Sequence, residues 1–241
     1  IKTDRRVYAE PPLPPLPKAG GTFTDPTFGT TLLRVTDRND GNNNHNAYSY
    51  WPSFNVDSTR FHINVSGRPT LYAFDPDAFR LKGKETLFAA RTPANTIPRW
   101  EDAIWSGTEP DILCAHEGTR LWSYIVAEKK YTLLKDFKDL VPGALAQMTC
   151  SLNDEHYAFR VVGPKYRNLE CFVWDRRADR IIFRKKALPG FDECQLDKTG
   201  RYLLIKEREG PVESKVIDLQ TGKSTPLTDG APDFGPGHSD N

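Results

Sequence analysis

The sequence predicts an all-β fold built from repeated four-stranded antiparallel sheets. Short alternating strands, separated by turns of Asp, Asn, Gly, Ser or Thr, recur along the chain, and no segment shows a sustained helical period with caps. Apolar anchors at the same point of four such segments lie 51, 45 and 45 positions apart, at Phe61, Ile112, Tyr157 and Tyr202. A four-stranded blade needs a repeat of about this length, so the pattern predicts a β-propeller. The alternative, a β-sandwich, would not require repeats at this period.

The charge and hydropathy of the 241 residues exclude several classes of protein. The 33 Lys and Arg residues against 32 Asp and Glu residues leave a formal net charge of +1, which gives no reason to expect nucleic acid as a partner. Hydrophobic residues make up 38% and aromatic residues 11%, so a disordered chain is a poor interpretation. No run approaches eighteen apolar residues, and we therefore expect no transmembrane helix.

The order of turns and strands predicts how the chain is organised. Residues 1–30 are expected to form an extended arm, because alternating Pro and Leu favour polyproline conformation without ladder hydrogen bonds. Residues 31–241 are predicted to form the propeller, with blades at about 40–90, 98–136, 144–186 and 190–229 and the start of a further blade at 236–241. The segment 31–36 reads as an outermost strand with no inner strands ahead of it. We therefore expect it to pair outside these four blades, in an incomplete ring of at least five.

The turn before the second strand of the first and fourth units resembles that of the TolB-type, WD-like β-propeller repeats. In that family Asp and Gly precede a basic or polar residue and an aromatic strand, as in Asp57-Ser58-Thr59-Arg60-Phe61 and Asp197-Lys198-Thr199-Gly200-Arg201-Tyr202. The second unit departs from this pattern, since Gly107-Thr108-Glu109-Pro110 replaces the Asp-containing turn. The resemblance covers about residues 31–230 and implies a fold rather than a function.

Propellers bind ligands where the first strands of the blades begin, around the central axis. Aromatic faces stack on sugar rings, while Arg and carboxylate groups orient charged or hydroxylated ligands. The blade entries are residues 45–51, 99–102, 147, 192–193 and 238–240. From them we predict a channel-mouth site for an oligosaccharide or a protein ligand, formed by His45, Tyr50, Arg99, Trp100, Glu101, Gln147 and Glu193. Because neighbouring residues of a strand point to opposite faces, about half of these should face the channel. Trp51 and Trp105 are expected in the core instead.

His238 and Asp240 are the predicted metal ligands. Imidazole and carboxylate together suit manganese, zinc or calcium, so a divalent metal is the expected cofactor if there is one. The other histidines near second strands, His62, His116 and His156, are expected on the surface or in blade packing.

The aromatic-rich blade openings and His238 are similar in a general way to the oligogalacturonate lyases, an enzyme family built on such a propeller. That resemblance implies a metal held largely by histidines and elimination across a uronate glycosidic bond, with Arg99 as a carboxylate-binding candidate and His238 as metal ligand or base. The family's histidine cluster has no match in this sequence, and no catalytic residue is assigned. The first hypothesis is therefore a binding module, and the alternative is a metal-assisted lyase.

The four cysteines, at 114, 150, 171 and 194, contain no C-x-x-C pair, which argues against a zinc ribbon or a thioredoxin-like site. Two disulfides in an exported protein and four buried free thiols are both open. Asn64-Val65-Ser66 fits a glycosylation acceptor of a eukaryotic secretory route. These features favour a periplasmic or secreted location.

Overall fold

The computed structural model describes residues 6–7, 9, 12, 14–48, 51–87, 90–209 and 212–227. The chain divides into two compact units. The first comprises Ile1–Asn46 and Ser58–Leu87, and the second Ala47–Asp57 and Phe88–Asn241. Across the described ranges, no helix has the length and apolar character needed to cross a membrane. The helices there are two short 3₁₀ turns, Arg38–Asp40 and Pro164–Tyr166.

The first unit contains a two-stranded hairpin and one four-stranded sheet. The hairpin strands are β1 (Thr22–Thr24) and β2 (Thr31–Leu33). Sheet I is the antiparallel meander of β3 (His45–Asn46), β4 (Arg60–Val65), β5 (Arg68–Asp75) and β6 (Arg80–Thr86). Leu33 and Val35 pack against the aromatic face of sheet I, where Phe61 and Tyr72 stack at 5.2 Å between ring centroids.

The hairpin lies partly inside the segment that was predicted to be an extended arm. Its turn forms because the Asp25 carboxylate accepts hydrogen bonds from the backbone N–H groups of Thr27 and Phe28, both at 2.7 Å. Gly29 then closes the turn with a φ of 71°, a conformation that favours glycine. Strand β2 accordingly pairs with β1 and with no strand of a four-stranded sheet in the described residues.

The second unit contains three more four-stranded sheets, each an antiparallel meander in chain order. Sheet II consists of β7 (Arg99–Trp105), β8 (Ile112–Glu117), β9 (Arg120–Ile125) and β10 (Lys130–Asp136). Sheet III consists of β11 (Ala144–Cys150), β12 (His156–Val162), β13 (Asn168–Asp175) and β14 (Arg180–Lys186). Sheet IV consists of β15 (Phe191–Leu196), β16 (Tyr202–Glu209), β17 (Val212–Asp218) and β18 (Ser224–Pro226). The four-stranded antiparallel blades predicted from the repeat are confirmed.

Sheet III is buried on both faces. Successive residues of β13 point to opposite sides of the sheet and pack into two different apolar clusters. Phe172 and Trp174 pack with Phe137 into the apolar cluster shared with sheet II, with ring centroids 5.2 Å and 5.5 Å from that of Phe137. Cys171 and Val173 point the other way, into the cluster shared with sheet IV. The first strands contact one another across the sheets, with β11 between β7 and β15. These three are therefore the inner strands of the unit.

A buried carboxylate joins the turns of sheets II and III. Asp154 accepts hydrogen bonds from the Ser106 hydroxyl, from the Gly107 backbone N–H at 3.1 Å and from the Thr108 hydroxyl at 2.8 Å. The turn at 107–110 is the one that lacks the family's aspartate. The turn of the next sheet supplies the carboxylate in its place.

Gly107 is required where these turns meet, and its replacement by Ala should destabilise the fold. A Cβ at this position would lie 2.1 Å from the Leu152 carbonyl oxygen, so backbone must move to admit it. We expect Gly107→Ala to reduce the free energy of unfolding by about 1–3 kcal/mol, as measured by urea unfolding. Gly83→Ala is the matched control, because nothing lies within 4 Å of a Cβ there. Equal stability of the two variants would contradict the prediction.

The structure gives the state of the four cysteines and the placement of two tryptophans. All four cysteines are buried free thiols, and burial raises the pKa of Cys114 to about 11. Trp51 and Trp105 are buried, as predicted. Their indole N–H groups donate to the carbonyl oxygens of Met148 at 2.6 Å and Ser53 at 2.8 Å, respectively.

Candidate functional site

A row of polar side chains crosses the three inner strands of the second unit. Asp102, Gln147 and Glu193 each lie four residues before the turn that ends the inner strand. The Asp102 carboxylate accepts the Gln147 backbone N–H at 2.9 Å, and the Gln147 side-chain amide donates to Glu193 at 3.1 Å. Asp102 and Glu193 are buried, while Gln147 is half-buried. This polar row therefore connects sheets II, III and IV by hydrogen bonds.

Each inner strand is irregular beside its member of the polar row. The register shifts between Arg99 and Ile104 in β7, between Ala146 and Met148 in β11, and between Phe191 and Glu193 in β15. Gln147 also has a φ of 48°, which is uncommon for a residue with a side chain. Bulges redirect side chains and are frequent beside functional sites. A bulge beside the polar row thus recurs in three consecutive sheets.

Asp102 is held as a carboxylate by His116 and Arg99. Its side chain accepts from the His116 Nε2 at 2.9 Å, and the Arg99 Nε lies 3.6 Å away. Burial acts to raise the pKa of Asp102, but the charge and hydrogen bond of His116 and the charge of Arg99 outweigh it and lower the pKa to about 2. His116 is fully buried on β8, so it serves the packing of the sheet and does not reach solvent.

Glu193, at the other end of the row, lies among cationic side chains. Lys206 on β16 places its Nζ 4.0 Å from Glu193 and 3.0 Å from Asp192. Arg160 donates to the carbonyl oxygen of Asp192 at 3.1 Å. Asp192 is exposed, whereas Lys206 and Arg160 are half-buried. This end of the row therefore presents both signs of charge at the surface.

The start of β7 presents charged and aromatic groups to solvent. Arg99 donates to Glu101 at 2.8 Å, and both side chains are about half exposed, at 43% and 57%. Burial acts to lower the pKa of Arg99, but the negative charges of Asp102 and Glu101 outweigh it and raise the pKa. Trp100 between them is half-buried. We call Arg99, Trp100 and Glu101 the β7 opening.

An exposed tyrosine lies near the β7 opening. Tyr166 is 72% exposed in the loop between β12 and β13, and its hydroxyl acts electrostatically on Arg99 in the direction that raises the pKa of Arg99. Both Lys165 and Tyr166 have a φ of 57°. Left-handed conformations of non-glycine residues carry strain and cluster at functional sites. The loop thus holds an aromatic side chain out of the core and close to a guanidinium.

The other predicted site residues divide into two groups. His45 belongs to sheet I of the first unit, where it is exposed and its Nε2 lies 2.8 Å from the Asn64 side-chain nitrogen. Asn64 is only 5% exposed, so the amide that glycosylation would modify is buried against this ring. Tyr50, His238 and Asp240 lie outside the described residues.

No cluster of three or more His, Cys, Asp or Glu side chains in the described ranges is arranged to hold a metal ion. His62 and His116 are buried on second strands, and His156 is half-buried, which agrees with a packing role for the first two. Burial lowers the pKa of His62 to about 4. The predicted manganese or calcium site at His238 and Asp240 stays a prediction.

The sequence prediction of the site did not include His116, Arg160, Tyr166 and Lys206, and it named Asp102 and Asp192 only as members of the blade entries. A signal for Asp102 was present, because it precedes Gln147 by 45 positions and Glu193 by 91, in step with the repeat. His116, Arg160 and Lys206 reach the site from second strands and Tyr166 reaches it from a loop, so no inner-strand pattern marks them.

Comparison with known proteins identifies the fold. No protein-family model and no curated protein sequence matches the chain. Among solved structures, TolB from Acinetobacter baumannii superposes with a TM-score of 0.51 and 15% identity, over 83% of this chain and 46% of that chain. Hydrazine synthase of Kuenenia stuttgartiensis matches with a TM-score of 0.45 and 10% identity, over 74% of this chain and 65% of that chain.

The chain spans about half the length of the TolB chain that it matches. A search of solved structures matches 703 chains, so the fold is widespread and does not by itself assign a function. The chain has the TolB-type β-propeller fold that its repeats and turns predicted.

Proposed function

We propose that this β-propeller is a ligand-binding module that recognises an oligosaccharide at the openings of its inner strands. The polar row of Asp102, Gln147 and Glu193 is the observation that carries the proposal. Its buried hydrogen bonds hold the inner strands of three sheets in one arrangement, and sites held on rigid elements bind with less loss of conformational entropy.

The groups exposed beside the polar row suit a hydroxylated ligand that carries negative charge. Arg99 offers a guanidinium for a carboxylate, and Glu101 and Asp192 offer acceptors for sugar hydroxyls. Trp100 and Tyr166 are aromatic side chains of the kind that stack on sugar rings. A uronate oligosaccharide combines these features, and a protein ligand is the alternative partner.

Binding of uronate oligosaccharides, measured by calorimetry against neutral oligosaccharides, tests the proposal. We expect Arg99→Ala to weaken uronate binding about tenfold or more, because hydrogen bonds between charged groups are stronger than neutral ones. Lys130→Ala is the control, since Lys130 is exposed at the start of the outermost strand β10 and its loss changes the net charge equally. Melting temperatures of both variants should stay near that of the parent.

One result would overturn carbohydrate binding, and another would overturn the role of Arg99. Absence of binding to every oligosaccharide would leave a protein ligand as the better hypothesis. Equal affinities of Arg99→Ala and Lys130→Ala would remove Arg99 from the site. The lyase alternative is tested in the same screen by the absorbance of an unsaturated product, with and without manganese.

A periplasmic or secreted location stays a prediction. Two features that favoured export have lost weight, since the cysteines are buried free thiols and Asn64 is buried against His45. Fractionation of the source cells with an antibody to the chain would test it, and recovery in the cytoplasm would contradict it.

A further inference from the structure

We propose that a cleft between sheets III and IV is a second binding site, for a small carboxylate with an apolar body. The cleft has a volume of about 570 Å³, within the range of small-molecule sites. Ile182 and Leu219 contribute apolar surface to its lining, and Arg180, His156, Arg201 and Gln220 contribute polar groups. None of these residues belongs to the polar row or the β7 opening, so the inference does not rest on the proposed function.

Local backbone features form the cleft. The pairing of β13 with β14 passes from Trp174↔Ile181 to Val173↔Phe183, which leaves Ile182 as the extra residue of a bulge. Ile182 and Leu219 are half-buried and pack at the edge of the core between the two sheets. The wall they make is apolar, which suits the body of an amphipathic ligand.

Gly200 forms another part of the wall, and it brings the backbone close to a histidine ring. Its φ is 74°, and a Cβ there would lie 2.7 Å from the His156 Nδ1. That nitrogen is buried and makes no hydrogen bond with the described residues. The His156 Nε2 lies 3.9 Å from Asp175 on the other side of the ring. The ring is thus held between Gly200 and Asp175 and forms a fixed part of the cleft wall.

The Arg180 guanidinium is the group of the cleft that can bind a carboxylate. Arg180 pairs with Asp175 through the backbone of the sheet, but its exposed guanidinium makes neither an ion pair nor a hydrogen bond with the described residues and is available to a carboxylate. Arg201 is already bound to Asp218 at 2.8 Å and lies over the Tyr202 ring at 5.0 Å. Asp218 pairs with Arg201 and Asp175 lies in the lining, so two carboxylates balance the two guanidinium charges at the cleft. A dianion would find too little positive charge here.

The proposal is tested by titrating the protein with hexanoate and following its isoleucine and leucine methyl signals by NMR. We expect saturable shifts at Ile182 and Leu219, and much weaker shifts with hexanamide, which has the same body without the charge. Arg180→Gln should weaken hexanoate binding about tenfold or more. Arg177→Gln, which removes a charge from the exposed turn before β14, should leave the affinity unchanged.

Three outcomes would overturn the proposal. The first is absence of hexanoate-dependent shifts at Ile182 and Leu219. The second is equal affinity for hexanoate and hexanamide, which would indicate an apolar surface without carboxylate recognition. The third is equal loss in Arg177→Gln and Arg180→Gln. Because the reporting methyl groups belong neither to the polar row nor to the β7 opening, none of these results bears on oligosaccharide binding at the inner strands.

Discussion

Replacing Asp102 with Ala is expected to reduce the free energy of unfolding by about 3–5 kcal/mol. The substitution leaves the fully buried His116 ring without its carboxylate partner. It also removes the acceptor of the Gln147 backbone N–H, which links sheet III to sheet II. Removing one partner of a buried hydrogen-bonded pair costs more than the pair contributes, because the remaining group has lost its water as well. Guanidinium unfolding measures the loss.

Glu101→Ala is the matched control for Asp102→Ala. Glu101 is the adjacent carboxylate and also pairs with Arg99, but its side chain is 57% exposed. Exposed ion pairs contribute at most about 1 kcal/mol, so this variant should unfold almost like the parent. A loss below about 1 kcal/mol in Asp102→Ala would contradict a structural role for the buried pair.

The same carboxylate should make stability depend on pH in the acid range. The pKa of Asp102 is lowered to about 2 from the ordinary value of 3.8. Its contribution is therefore fully present above the pKa of the unfolded state and is lost as the pH falls from about 4 towards 2. The difference corresponds to roughly 2 kcal/mol. Asp102→Asn should lose less stability over this interval than the parent, and parallel curves would contradict the assignment.

The repeating sheets could be predicted from the sequence because their determinants are local. The turn at 197–202 shows this, since the Asp197 carboxylate accepts the backbone N–H groups of Arg201 and Tyr202, and Gly200 takes a positive φ. The hairpin at 22–33 was missed because the adjacent prolines dominated the pattern. Its turn depends on Asp25 and Gly29, which are common loop residues and do not mark a hairpin by themselves.

The site was predicted in part, and the omissions have physical causes. In a regular strand, side chains alternate between the two faces with a period of two residues. Each inner strand has a bulge that interrupts this period, so the face of a side chain near the bulge cannot be predicted from its position. Asp102 belongs to the blade entry 99–102, but its buried contacts with His116 and Gln147 depend on the bulge and could not be predicted. His116 and Lys206 come from neighbouring strands, and such cross-strand contacts depend on a register that the sequence alone does not supply.

Replacing Asp154 with Ala is expected to reduce the free energy of unfolding by about 2–4 kcal/mol. The buried carboxylate is the common acceptor for the hydroxyls of Ser106 and Thr108 and for the Gly107 backbone N–H. All three donors belong to the turn of sheet II, so the substitution separates two sheets at one point. The φ of Asp154 is 57°, a conformation that Asp and Asn tolerate better than Ala, and this adds to the cost.

Two further variants separate the hydrogen bonds of Asp154 from its backbone conformation. Asp154→Asn keeps an acceptor oxygen and tolerates the positive φ, so it should lose less stability than Asp154→Ala. Asp139→Ala makes the same chemical change at an exposed position in the 137–141 segment and should stay within about 0.5 kcal/mol of the parent. In a double-mutant cycle, Asp154→Ala and Thr108→Val should be non-additive by about 1 kcal/mol, because both remove the same hydrogen bond. Additive losses would mean that the carboxylate stabilises its own turn and does not join the two sheets.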